Sequence, residues 1–383
     1  MDFAWSPEVR HRLEQARRFA EERLSGLPPP KGFDRHGWGA LAEFGLFRMP
    51  LSEAWGGEHS GALATMATLE ALGRGGADRG LLFAAGAHMF GCAVPVSAYG
   101  NRAQAASWAR GLSIGSVIGA LAVTEAAGGS SLDLLATQCA EAAGGYVLNG
   151  EKVLIANAPE AGLFLVLARQ YRDRGPLGLT AFLVPSDEAG LTVTPIASSL
   201  GLPGLALGRV RFAECFVPAD SVIGRPGAGL KVFATAMQWE RTCLLAGFLG
   251  AAERELSACV DALHGRRDAH GPLLRHQAVS HRLARVKLSI ESARLLGYRA
   301  AWSIDQAHED PAAAAMAKLA LSEAAVDAAL ACLRLMAGAT WRRDSVDCSA
   351  ALGDSLGGLF SSGTSEVQLD IVARHLQSGY RGK

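Results

Sequence analysis

Residues 117–133 read VIGALAVTEAAGGSSLD, and the texture of the chain changes within them. The first nine are a β-rich apolar run. Before them, Ala, Leu, Glu and Arg dominate and apolar residues recur at three and four, so residues 1–115 read as helical. After them come short apolar segments separated by Gly, Pro and Asp: LFLVLARQ (163–170), LTAFLVP (179–185), LTVTPIA (191–197) and GRVRFAECFVP (208–218). GYVLNGEKVLIAN (145–157) reads as two strands around Asn149-Gly150, a strong hairpin signal. Together these segments predict an antiparallel β domain. GRPGAG (224–229) reads as a linker, beyond which helical periodicity returns, with helices expected over about 229–263, 273–307, 311–337 and 364–377. The order is α, then β, then α. That predicts an α+β fold in three domains, 1–116, 117–224 and 225–383, and argues against a βαβ nucleotide-binding sheet.

The 383 residues are 49% hydrophobic and 19% charged, which allows a large core. Thirty-seven basic residues balance thirty-seven acidic ones, so charge gives no case for nucleic acid or an anionic membrane as partner. The seven cysteines lack CxxC spacing and read as reduced, buried thiols of a cytoplasmic protein. RGLLFAAGAHMFGCAVPVSAYG (79–100) is apolar, but His88, Pro95 and its glycines make it a core helix rather than a membrane span. The histidines have no Cys or carboxylate at ligand spacing, so no metal site is expected. Ser361, Ser362 and Thr364 lack a neighbouring His that could activate a nucleophile.

Two features remain. VTEAAGGSSLD (123–133) leaves a strand through two glycines into hydroxyls. Successive N–H groups at such a turn can form an anion nest, and the same residues also suit an ordinary turn. In MQWERTCLLAGFLG (237–250), Glu240 falls on the apolar stripe of Phe233, Met237, Leu244 and Phe248. Arg241 points about a hundred degrees away on a helix and is a poor partner. Glu240 is therefore either a buried ion pair with a basic residue such as Arg294, or a carboxylate lining an apolar cavity. In the second case desolvation raises its proton affinity, as a base for a weakly acidic C–H requires. The residues alone leave both open.

Several stretches together resemble the acyl-CoA dehydrogenase family: ALAVTEAAGGSS (120–131), GYVLNGEKVLIANAPEAGLFLVLAR (145–169), VRFAECFVPADSVIG (210–224), RHQAVSHRLARVKLSIESARLL (275–296) and GTSEVQLDIVARHL (363–376). The resemblance spans nearly the whole chain. It implies an N-terminal helical domain, a middle antiparallel β domain and a C-terminal four-helix bundle, in a homo-oligomer, tetramer or dimer, with one FAD per subunit. It implies that Val123 and Thr124 meet the flavin pyrimidine ring and that Gly129 and Ser130 hold the pyrophosphate. Leu154, Ile155 and Ala156 would lie against the isoalloxazine. Arg267 and Gln277 would reach the FAD of a neighbouring subunit, and Thr364 and Glu366 complete the cofactor set.

The departures are informative. Ala156 stands where the family often has a Thr bonded to the flavin. Ala337-Gly338-Ala339-Thr340 and His270-Gly271 replace the usual residues near the adenosine, and the nest loop has lost its Pro and Asp. Most members carry the catalytic Glu immediately before Gly-Thr, where this chain has Ser362. A minority place it before an Arg in the first C-terminal helix, and here that pair is Glu240-Arg241. Glu240 is thus expected as the base. The backbone amide of Ser362 would support the thioester carbonyl, so its side chain is expected to matter little. Finer texture, in LLFAAGAHMFGCAVPV (81–96) and FSSGTSEVQ (360–368), is similar to the branch that oxidises prolyl and other aminoacyl groups on peptidyl carrier proteins for secondary metabolism, including antibiotic biosynthesis. A carrier protein or a CoA thioester is then the substrate, and a flavoprotein or oxygen the electron acceptor. Two other activities stay open: a short- or branched-chain acyl-CoA dehydrogenase, and a flavin monooxygenase on the same fold.

Overall fold

The computed structural model describes residues 4–26, 32–197, 200–308, 310–341 and 348–380. Helix starts follow capping chemistry. In α1 (Pro7–Arg23) Ser6 accepts from the Val9 amide, and in α2 (Arg35–Phe44) Asp34 accepts from Gly37. Gly45, at φ 85°, ends α2 in the left-handed conformation that glycine tolerates. After α3 (Gly61–Arg74), α4 (Arg79–Gly86) runs through a π-helical stretch, Ala87–Ala93, into α5 (Val94–Tyr99). Residues Arg79–Tyr99 are long and apolar enough to cross a membrane, yet 89% of that window is buried inside the protein. An Asn101–Gln104 capping box opens α6 (Arg102–Ser113).

The strands are β1 (Gly119–Ala122), β2 (Gln138–Ala142), β3 (Gly145–Ala156), β4 (Leu163–Arg169), β5 (Leu179–Pro185), β6 (Leu191–Ile196) and β7 (Leu207–Pro218). They form one sheet ordered β1-β4-β2-β3-β7-β6, with β5 on β4. Pairing is mostly antiparallel, but β1 runs parallel to β4 and β2 touches β4 in the parallel sense. β4 is apolar from Leu163 to Ala168, with both faces buried. Leu163, Leu165 and Leu167 join the core shared with the helices, and Phe164, Val166 and Ala168 join a second core on the other face.

The hairpin expected at Asn149-Gly150 is not there. β3 continues through both residues, and the turn between β2 and β3 is Ala143-Gly144, with Gly144 at φ 82°. Two partners override the local signal: β2 and β7 both pair across this part of β3. Gly150 is needed for close approach instead, since a Cβ there would lie 2.5 Å from the Thr137 hydroxyl oxygen.

Beyond the sheet lie α7 (Gly229–Cys243), α8 (Ala246–His264), the short hairpin β8 (Arg267–Asp268) and β9 (Gly271–Pro272), α9 (Gln277–Asp305), α10 (Pro311–Met336), α11 (Cys348–Phe360) and α12 (Ser365–Tyr380). The helix expected over 229–263 is broken at Leu245, and α11 was not anticipated. The break lets α8 lie backbone to backbone on α3: a Cβ on Gly250 would sit 1.9 Å from the Glu70 carbonyl, and one on Gly73 2.0 Å from that of Gly247. Six cysteines, at 92, 139, 215, 243, 259 and 332, are buried.

Candidate active site

Glu240 lies in the last turn of α7, on the face turned toward the π-helical stretch. The neighbouring Trp239 stacks on Phe90 of that stretch, with ring centroids 5.8 Å apart and planes 22° apart. Gly91 leaves room for the carboxylate: a Cβ there would lie 2.6 Å from Glu240 Oε1 and 3.2 Å from the Leu121 Cβ. Gly91 thus lies between Glu240 and the strand whose continuation is Val123 and Thr124. π-Helical turns concentrate at functional sites.

Arg294 does not pair with Glu240. It bonds Glu70 at 2.7 Å and Glu253 at 3.2 Å, in a network that joins α3, α8 and α9. Glu240 has no ion pair among the described residues. Glu240 is half-buried. Burial pushes its pKa up to about 7, against the opposing pull of the Ser362 hydrogen bond and the Arg241 charge. The carboxylate is held at the point where it can both accept and release a proton near neutrality.

The Ser362 side chain, expected to matter little, is engaged with Glu240. Its hydroxyl donates to Glu240 Oε2 at 2.6 Å. No sequence signal could have found this contact, because 122 residues separate the two.

The strand end carrying Val123 and Thr124 is locked to β3. The Val153 amide donates to the Thr124 carbonyl at 2.8 Å. Lys152, fully buried, donates to the Val123 carbonyl at 3.1 Å and to Glu125 Oε1 at 2.8 Å. Glu125 also accepts from the amides of Ala136 and Thr137. This buried ion pair was missed by the sequence reading, although Lys152 and Glu125 both lie in the stretches it quoted. Beside the pair, Leu154 sits at φ 55° where the β3–β7 register slips, and is 58% exposed. Ile155 beneath it is buried and Ala156 is half-buried. Gly129 and Ser130 are exposed, and a Cβ on Gly129 would meet only the Thr124 methyl, at 3.4 Å.

Arg267 and Gln277 lie exposed on β8 and at the start of α9. Thr364 caps α12, accepting from the Val367 amide at 3.4 Å, and Glu366 is exposed in its first turn. Among the described residues no three His, Cys, Asp or Glu side chains gather as metal ligands.

Profiles for the N-terminal, middle and C-terminal domains of acyl-CoA dehydrogenase match residues 6–116, 120–215 and 227–377. The chain belongs to the acyl-CoA dehydrogenase family. Among its relatives is an L-prolyl-(peptidyl-carrier protein) dehydrogenase of Pseudomonas fluorescens, 36% identical over 98% of this chain and 100% of that one. The Homo sapiens mitochondrial short-chain specific acyl-CoA dehydrogenase is 31% identical over 96% of this chain and 90% of its own. The solved structure of PigA with FAD and proline matches with a TM-score of 0.95 at 33% identity, over 100% of both chains.

The site of this family member fits a flavin dinucleotide on its own geometry. Leu154 is an apolar side chain held outward at a backbone angle that a non-glycine residue adopts at a cost. It offers a surface for a planar ring. At Gly129 a Cβ would meet one methyl group alone, which leaves room for a phosphate to approach the backbone.

Proposed function

We propose that this chain is an FAD-dependent dehydrogenase of thioester-bound acyl groups, with an aminoacyl group such as prolyl on a peptidyl carrier protein as substrate, in a secondary-metabolite pathway. The seat of Glu240 carries this reading. It is a carboxylate over Gly91, which also faces Leu121 two residues before Val123, and burial raises its pKa to about 7. The relatives' names supply the prolyl group and the carrier protein in one case and FAD and proline in the other.

FAD, when bound, supplies the acceptor for a hydride from the β-carbon. The chain's own residues do the rest. Glu240 removes the α-proton, and its elevated pKa matches the task better than an ordinary carboxylate would. The Ser362 amide donates to the thioester carbonyl and stabilises negative charge as it develops there. Val123 and Thr124 would hold the ring edge, Leu154, Ile155 and Ala156 its face, and Gly129 with Ser130 the pyrophosphate. Thr364 and Glu366 complete the binding groove. Arg267 and Gln277, exposed here, reach the cofactor of a second copy in a homo-oligomer. On α9, Leu288, Leu295 and Trp302 are exposed by 67%, 51% and 55% at seven-residue intervals, an apolar stripe suited to such an assembly. In this reading the chain divides into domains at 117 and 225, with the site where the β domain meets the C-terminal helices.

Two experiments test this. Incubating the holoenzyme with prolyl-loaded carrier protein and reading its intact mass is expected to show the loss of two or four hydrogens. An unchanged mass, with turnover of butyryl- or isovaleryl-CoA instead, would transfer the activity to free CoA esters. Gly129→Val is expected to leave the apoprotein's melting temperature nearly unchanged, because its only near neighbour is one methyl group. Flavin retained through purification is expected to fall about tenfold, as the side chain fills the phosphate's space. An equally yellow variant would remove the nest from the site.

A further inference from the structure

The turn after α11 is built with more care than a backbone amide alone requires. Ser362 has φ 53°, a left-handed angle that glycine would adopt at lower cost, and Gly363 follows at φ 97°. The Ser362 carbonyl is held from two directions, by Arg241 Nε at 3.2 Å and by Gln368 Nε2 at 3.2 Å. Gln368 is fully buried and also donates to the Gly363 carbonyl at 3.0 Å. Consecutive residues of α7 thus grip one residue of the turn, Arg241 by its carbonyl and Glu240 by its hydroxyl. The rotamer of Ser362 is set by its surroundings, and its hydroxyl points at Oε2.

The two carboxylate oxygens of Glu240 are therefore not equivalent. Oε2 accepts the Ser362 hydroxyl at 2.6 Å. Oε1 has no hydrogen-bond donor among the described residues and lies over Gly91, where any side chain would collide with it.

We infer that the Ser362 hydroxyl is a positioning residue for the base: it occupies Oε2, leaves Oε1 as the oxygen that takes the proton, and favours the ionised carboxylate. This rests on the reading of Glu240 as base. A hydrogen bond donated to the charged form lowers a carboxyl pKa, and here it opposes the larger upward effect of burial.

Other groups do not take this role. Arg241 is the one charged side chain with a resolved effect on Glu240. Lys318 of α10 donates to the Leu359 carbonyl. His88 of the π-helical stretch bonds Leu112 and Gly119, and burial pulls its pKa down to about 4, which keeps it neutral. Burial pushes the Cys92 thiol up to about 12. Tyr99 of α5 is bonded to Thr235, and Arg169 of β4 to loop carbonyls. Glu70 of α3 and Arg294 of α9 hold each other. Glu366 of α12 has its pKa lowered by its own backbone amide and by Thr364.

The test uses Ser362→Gly and Ser362→Ala. Glycine suits the left-handed angle, so it removes the hydroxyl without strain, and alanine keeps the Cβ. The Glu240 carboxyl is titrated by infrared difference spectroscopy, with Glu240→Gln identifying its band, a measurement that needs neither flavin nor turnover. In parallel, kcat/KM is followed against pH in the holoenzyme. Both variants are expected to raise the carboxyl titration, and the acid limb of kcat/KM with it, by ~1 pH unit, the scale of one hydrogen bond to a charged group. Activity at pH 6.5 falls about tenfold and recovers at higher pH. Ser362→Cys, a weaker donor, gives an intermediate shift. A carboxyl titration in Ser362→Gly that coincides with the wild type would overturn the inference. Turnover by Glu240→Gln within a few-fold of wild type would instead sink the base itself, whatever the serine variants do.

Discussion

Glu240→Gln is expected to keep its flavin and lose turnover by about a thousandfold, within the range ascribed to a positioned general base. Glutamine has the same shape, so it fits against Gly91, and its carbonyl oxygen can still accept from Ser362. It cannot take a proton. Single-turnover bleaching of the flavin absorbance under loaded carrier protein measures the loss, and the flavin-to-protein absorbance ratio checks that the cofactor stays. The same substitution has a signature in stability. The folded-state pKa of Glu240, about 7, lies above its ordinary 4.5. Between those values the folded chain holds the proton more tightly than the unfolded one, so this group's contribution to stability falls as pH rises through that window. At pH 8 the cost of burying the charge is fully expressed, and removing it stabilises the apoprotein by at most about 3 kcal/mol. Below about pH 4.5 the gain vanishes. A glutamine variant less stable than wild type at pH 8 would contradict the apolar seat.

The second large effect belongs to Lys152. Its ammonium is fully buried, and burial pulls its pKa down to about 8 against the opposing attraction of Glu125. Burial pushes the Glu125 carboxyl up, but Lys152, Thr137 and the Ala136 amide outweigh it, leaving the pKa below the usual range. Lys152→Met leaves a buried carboxylate with no counter-charge, a change that costs about 3–5 kcal/mol. It also frees the Val123 carbonyl at the edge of the flavin cradle, so flavin retention is expected to fall with stability. Urea unfolding of the apoprotein and the absorbance ratio of the purified holoenzyme measure the two. Lys152→Met combined with Glu125→Gln is expected to recover most of the stability, because what costs is the orphaned charge rather than the absent pair. A single variant as stable as wild type would show that water reaches Glu125.

Much of this was legible in the residues. The α, β, α order follows from a hydrophobic period that changes near 117 and changes back near 229. The apolar stripe that includes Glu240 follows from helical spacing alone, and so does the exclusion of Arg241 as its partner. Where reading failed, a distant partner outweighed a local signal. Asn149-Gly150 has the composition of a tight turn, but pairing with β2 and β7 holds it in a strand. Nothing in CLLAG (243–247) stops a helix, yet α8 turns at Leu245 to bring Gly247 and Gly250 against the backbone of α3.

By itself the sequence determined the order of elements, the kind of fold and which carboxylate sits on an apolar face, because periodicity and spacing are properties of neighbours along the chain. Only the tertiary structure decided what surrounds that carboxylate. Gly91 and Ser362 come to Glu240 from separations of well over a hundred residues, and proton affinity depends on what is close in space, through desolvation and hydrogen bonding, rather than on what is adjacent in the chain.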